Sequence, residues 1–491
     1  ASSAASDVYK RQREGKDPDE QKIAAPKITP IVTNRDSQSE FLSEIQTSQV
    51  QPIEPVFVDY KKDMSQFEAQ PGIDVLYKKN ETNDIFTLIY VFNTGTENDP
   101  ALNLAFNYLS YLGTDKMTAE EIASEMYDIA CSFYMNAGAN QSSIQITGLS
   151  ENMGKAMEIV EGLIAGAKPD EAILENCKAD MLKSRADAKL NQSRCFGALQ
   201  RYLFYGGDFI RRTTLTDPAL QALTSEQLLA KIGGLMGKQH EVLYYGPQKE
   251  AEVKSALAKH HKVAADLQPL EKKFSTLLPT DANKVVLAQY DAKQLYYLQF
   301  SNRGEKFDVA ADPEITLYNE YFGGGMNTIV FQEMREARGL AYTAWATLAT
   351  PSNANGDYSY YAFIATQNDK MQKAVEAFDD IINNMPESEK AFGIAKEALV
   401  SRLRTERTVK DGVLWSYLRA RDLGLDAPRD KQIFEKVQSM TLDDVKAAQQ
   451  KWVKGRKYVY GILGDIQDLD LNYLKTLGPI QTVSQEEIFG Y

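Results

Sequence analysis

The sequence predicts an α+β protein made of two homologous domains, each a mixed or antiparallel sheet with helices packed on one face. Three observations predict it. Strand-like runs recur at a fixed interval along the chain. Several neighbouring runs are joined tightly enough to be antiparallel, and an amphipathic stretch of ten or more residues follows them in each copy.

The elements can be taken in order. Residues 84–95 (DIFTLIYVFNTG) form a β-rich run ending in a turn, and 210 residues later residues 294–304 (QLYYLQFSNRG) repeat it. A helical stretch then leads to YLGT (111–114) in the first copy and to YFGGG (321–325) in the second. Next in the first copy comes a helix opened by Thr118 with Glu121 three residues on, the spacing of a capping box. Strand-like CSFYMNAG from Cys131 and SSIQITGL from Ser142 follow. In the second copy a helix over 327–337 leads to YTAWATL from Tyr342 and DYSYYAFIAT from Asp357. Both copies continue with an amphipathic helix, ENMGKAMEIVEGLIAG or DKMQKAVEAFDDIINNM. Each closes with a Thr-started helix, at Thr224 or Thr441, feeding EVLYYG or KYVYGILG.

Composition narrows the function. The 491 residues carry 55 basic and 68 acidic side chains, a net charge of −13, which argues against general nucleic-acid binding. No run approaches the roughly 18–20 apolar residues of a membrane-spanning helix. Three cysteines (Cys131, Cys177, Cys195) are too few for a disulfide scaffold. The three histidines, His240, His260 and His261, read as surface residues, since neighbours in a helix do not share a face. Residues 1–12 (ASSAASDVYKRQ) read as a cloning adapter, and the polar, proline-dotted residues 13–70 as an extended linker. A peptidase-like first domain is expected over 71–265, a linker over 266–283 and the second domain over 284–491.

Residues 323–346, GGGMNTIVFQEMREARGLAYTAWA, carry a more specific signal. They resemble the C-terminal domain of the pitrilysin/insulinase zinc metallopeptidases, the telling feature being Arg335 followed by Tyr342 within REARGLAY. The paired repeats extend the resemblance over roughly residues 70–491 and imply a LuxS-like metallopeptidase sandwich. That family binds zinc through an HxxEH helix plus a distant Glu, the central Glu serving as base for metal-bound water. Here the matching helix places Leu104, Asn107 and Tyr108 at the His, Glu and His positions. Three such neutral side chains hold no zinc, so no metal ligand is assigned.

The resemblance therefore implies the C-terminal, non-zinc half of a long, four-domain endopeptidase. Zinc belongs to the intact enzyme and none to this chain, which alone is expected to be inactive. The HxxEH half would be supplied in cis or as a separate subunit, and the two halves would close around a peptide substrate. Arg335 and Tyr342 would donate hydrogen bonds to the scissile carbonyl and its oxyanion. Gly323, Gly324 and Gly325 would border the chamber; the same glycines otherwise read as a tight turn with close backbone packing. Envelope-resident long members point to the bacterial periplasm, although the sequence itself does not give a location. The alternative is a non-catalytic scaffold or binding subunit of the same fold, or a partner acting in trans.

Overall fold

The computed structural model describes residues 38–491, so the adapter reading of residues 1–12 lies outside the described residues. Residues 38–53 belong to a separate unit and carry one helix, Glu40–Thr47, whose first turn is capped by Ser39. The remaining chain forms two six-stranded sheets within one compact unit.

The first sheet comprises β1 (Ser65–Gln70), β2 (Ile73–Lys79), β3 (Ile85–Phe92), β4 (Cys131–Ala137), β5 (Ser142–Leu149) and β6 (His240–Gly246). Its spatial order is β1-β2-β6-β3-β5-β4. The second comprises β7 (Lys284–Gln289), β8 (Gln294–Lys306), β9 (Thr343–Ala349), β10 (Asp357–Gln367), β11 (Val459–Gly464) and β12 (Ile480–Val483), in the order β12-β7-β11-β8-β10-β9. Each sheet is mixed: β2 runs parallel to β6 and β7 to β11, while β3 with β5 and β8 with β10 are antiparallel. This is the predicted α+β architecture, present twice.

One expected boundary moves. β1 lies inside the stretch read as linker, and Tyr60 and Met64 just before it are buried against the first sheet. The linker reading of 13–70 therefore fails over its last ten or so residues. Only Phe67 and Ala69 turn inward among the polar residues of SQFEAQ, as befits an edge strand, and so short an alternation is easily missed. Residues 266–283 contain no helix or strand, only an isolated bridge between Lys238 and Gln268.

Helices α1 (Leu102–Leu109), α2 (Ala119–Asp128), α3 (Met153–Gly166), α4 (Gln192–Thr213), α5 (Ser225–Leu235) and α6 (Glu250–His260) belong to the first repeat. Helices α7 (Asp312–Phe322), α8 (Met371–Asn383), α9 (Gly412–Asp422) and α10 (Leu442–Ala448) belong to the second. Thr118, Thr224 and Thr441 each form a capping box at the start of α2, α5 and α10. All but two of these helices pack on one face of their own sheet. Phe86, Leu88, Tyr90 and Phe92 of β3 meet α1, α3 and α5 there, and Leu295 and Tyr297 of β8 meet α7 and α8.

The opposite faces are covered by exchange. Helix α4 of the first repeat lays Cys195, Phe196, Leu199 and Leu203 on Leu298, Phe300 and Leu463 of the second sheet. Helix α9 of the second repeat lays Val413, Leu414 and Leu418 on Leu76, Ile89 and Leu243 of the first. The central strands are thus buried on both sides, which is why they read as unbroken apolar runs.

Strand register places equivalent residues in the two repeats. Val91 faces Glu241 across β3 and β6, as Phe300 faces Val459 across β8 and β11. Tyr90 is then the counterpart of Gln299, and His240 of Tyr458. Both α3 and α8 follow a three-residue 3₁₀ turn, and the ninth residue of each is an acid, Glu161 or Asp379.

Candidate functional site

Helix α7 ends at Gly323, where the chain must pass the backbone of β9. Ala346 N–H donates to Gly323 O at 3.0 Å, and a Cβ at residue 323 would lie 2.3 Å from Ala346 O. Only glycine fits that approach. Gly324 and Gly325 meet no such obstacle, and with the exposed Met326 they form an open turn. Thr328 then starts a helical turn, Ile329–Phe331, that widens into π-helical geometry over Gln332–Ala337. Gly339 adopts φ +58°, the left-handed conformation that ends the helix, and returns the chain to β9.

This path brings Arg335 and Tyr342 together. The Arg335 guanidinium lies 5.2 Å from the centroid of the Tyr342 ring and 4.9 Å from that of Phe331, one turn earlier. Its carboxylate neighbour among the described residues is Glu336, at 3.5 Å, whereas Arg338 is the residue that pairs with Glu333 and Asp380. Tyr342 is 73% exposed and anchored by its backbone N–H to Ala365 O at 3.2 Å, beside the edge strand β9. The outcome is a cation stacked between two rings, with an outward-facing phenol at its side. Both groups present donors that no described residue occupies.

The helix of the first repeat is different in kind. Leu104 and Tyr108 of α1 point into the core, while Asn107 is exposed. The Tyr108 hydroxyl accepts from Asp170 N–H at 2.7 Å and lies 2.8 Å from Ser225 Oγ. An aliphatic side chain and an engaged phenol do not fit a zinc ion. Among the described residues no group of three or more His, Cys, Asp or Glu is placed to hold one.

The histidines depart from expectation. His240 and His261 are not surface residues; they are 4% and 1% exposed and share a hydrogen bond of 2.8 Å between their Nε2 atoms. His261 follows the end of α6 and turns inward, while His240 begins β6, so the pair joins the end of a helix to a strand. His260 is mostly covered as well, its Nδ1 lying 3.2 Å from Glu158.

Comparison with known proteins adds to this geometry. A sequence profile described as the peptidase M16 inactive domain matches residues 239–399, spanning the join between the repeats, Gly323–Gly325, Arg335 and Tyr342. Over those residues the chain matches the M16 peptidase inactive domain. An uncharacterized zinc protease of Rickettsia bellii is 23% identical over 309 residues, covering 61% of this chain and 70% of that protein. Among solved structures, the peptidase M16 inactive domain from Pseudomonas fluorescens superposes with a TM-score of 0.64 at 18% identity, over 82% of this chain and 98% of that one. The periplasmic protease PqqL from Escherichia coli gives a TM-score of 0.62 at 14% identity, over 89% of this chain. The match takes up 49% of PqqL, so the chain spans about half of that longer protein. At these identities the superpositions speak for the fold.

Proposed function

We propose that this chain is the non-zinc half of an M16 endopeptidase, closing a substrate chamber and presenting Arg335 and Tyr342 to the peptide. One observation carries the reading. The guanidinium and the phenol, seven residues apart in sequence, converge at 5.2 Å on the exposed end of an edge strand. Stacking on Phe331 and Tyr342 fixes the guanidinium plane before substrate arrives, so little ordering remains to be done at the moment of reaction. Both groups donate to oxygen, and both bonds strengthen as a peptide carbonyl becomes a tetrahedral oxyanion. The match to half of PqqL is consistent with a second half that supplies zinc and base, in cis or as a separate subunit.

The test is kinetic, in the assembled enzyme containing the zinc-bearing half. Arg335→Ala and Tyr342→Phe should each lower kcat about 10²–10³-fold, with KM less affected and the thermal unfolding midpoint retained. Wild-type turnover in both variants would assign the chain to the scaffold reading instead.

A further inference from the structure

The first repeat encloses a line of titratable groups that the peptidase reading does not use. Lys238 O lies 2.8 Å from His240 Nδ1, His240 Nε2 lies 2.8 Å from His261 Nε2, and His261 Nδ1 lies 2.6 Å from Glu161 Oε1. The imidazole planes are perpendicular and their centroids are 5.1 Å apart. That separation is little more than two ring radii plus the 2.8 Å gap, so the facing nitrogens point almost straight at each other. A metal ion on that line would need about 2.0–2.1 Å to each nitrogen, a total near 4 Å. The gap suits a shared proton.

Counting protons fixes the charge state. Lys238 O only accepts, so His240 Nδ1 carries a proton, and in neutral His240 the Nε2 then offers a lone pair. His261 must therefore donate from Nε2, and its contact with the Glu161 carboxyl requires another proton. Satisfying all three contacts takes one proton more than a carboxylate and two neutral imidazoles possess. We propose that Lys238, His240, His261 and Glu161 form a one-proton latch, which pins α3 and the end of α6 to β6 and releases them when a second proton enters or the first leaves.

The surroundings allow both events. Glu161 lines a cleft of about 490 Å³, and His240 lines a second cleft of about 450 Å³, so each end of the relay has an outlet. The facing groups on α3 and around the end of α6 are Glu158, Lys259, His260 and Lys262. From β3, the Tyr90 ring centroid lies 4.2 Å from that of His261. Glu241 on β6 is held by Arg421 of α9 at 2.7 Å. The His240 cleft adds Glu68, Asp74, Glu271 and Lys272.

Burial first, and His261 second, hold the His240 pKa down at about 4, against an ordinary 6.5. Between those values the opened state takes up a proton that the closed state refuses, so closure weakens on acidification. Opening should rise by about tenfold per pH unit across that window. The second repeat has no such relay, since Tyr458 and Gln299 stand where His240 and Tyr90 do.

With only three histidines, ring-nitrogen NMR of the labelled chain reads the latch directly, His260→Gln serving as the assignment control. At pH 7, His240 should carry a proton on Nδ1 alone, and a strongly deshielded proton should be shared between His261 Nδ1 and Glu161, lost in Glu161→Gln. Absence of that shared proton in the wild-type chain would overturn the proposal. A second readout needs no variant. Intrinsic-rate-corrected amide exchange should show opening of Met153–Gly166 growing about tenfold per pH unit from 6.5 to 4, relative to Met371–Asn383. An equal response in the two helices would also overturn it.

Discussion

Glu161 and Asp379 occupy the same seat in the two repeats, on the ninth residue of matched helices beneath matched strands, yet they are satisfied in opposite ways. Glu161 meets an imidazole that brings a proton. Asp379 accepts instead from the Gln299 amide at 2.9 Å, and burial raises its pKa. The duplicated fold therefore fixes where an acid sits under the sheet, while the group that reaches it, His261 past the end of α6 or Gln299 on β8, decides what it bonds. A second contrast runs the other way. In α1 the first repeat buries Leu104 and Tyr108 in its core, whereas the second repeat places its Arg and Tyr donors at an open edge.

Substitutions can break or sharpen these contrasts. The largest effect is expected from Leu104→Ala, which removes a fully packed side chain and should cost about 2–5 kcal/mol in chemical denaturation. Exposed Asn107→Ala, three residues on, should stay within about 0.5 kcal/mol. Equal responses would mean that α1 does not face the core as described. Tyr108→Phe comes next. It leaves Asp170 N–H and Ser225 Oγ without their partner, a loss of about 1–3 kcal/mol by the same measurement. Smallest is Asp379→Asn. An acid whose folded pKa is raised binds its proton more tightly when folded, so its carboxylate form weighs against folding as pH climbs through that value. The amide should therefore raise the unfolding midpoint at pH 7, and the difference should shrink as pH falls toward 4. If Asp379→Asn lowers the midpoint at neutral pH, the two acids are not opposites.

Much of this was legible in the chain itself. The apolar runs around Phe86–Phe92 and Leu295–Phe300 announce buried strands, and Thr118, Thr224 and Thr441 announce helix starts, because both signals are local. The nearness of Arg335 and Tyr342 was legible through the intervening turn at Gly339. Phe331, four residues before Arg335, was a visible stacking partner that reading for charge alone passed over. His240 and His261 read as surface residues from helix spacing, which carries no information about a partner on another element. They meet because the chain past α6 turns His261 inward onto the start of β6, a tertiary contact that sequence spacing does not encode. The same limit hid the exchange of α4 and α9, since an amphipathic face shows that a helix is buried and not which sheet buries it.

That exchange makes each repeat finish the other. Severed between residues 266 and 283, either fragment would present a bare apolar sheet, Leu76, Ile89 and Leu243 on one or Leu298, Phe300 and Leu463 on the other, cut to the shape of a helix it no longer owns. Two such pieces, mixed, have a reason to find each other again, and a single piece at high concentration has the same reason to seek its twin.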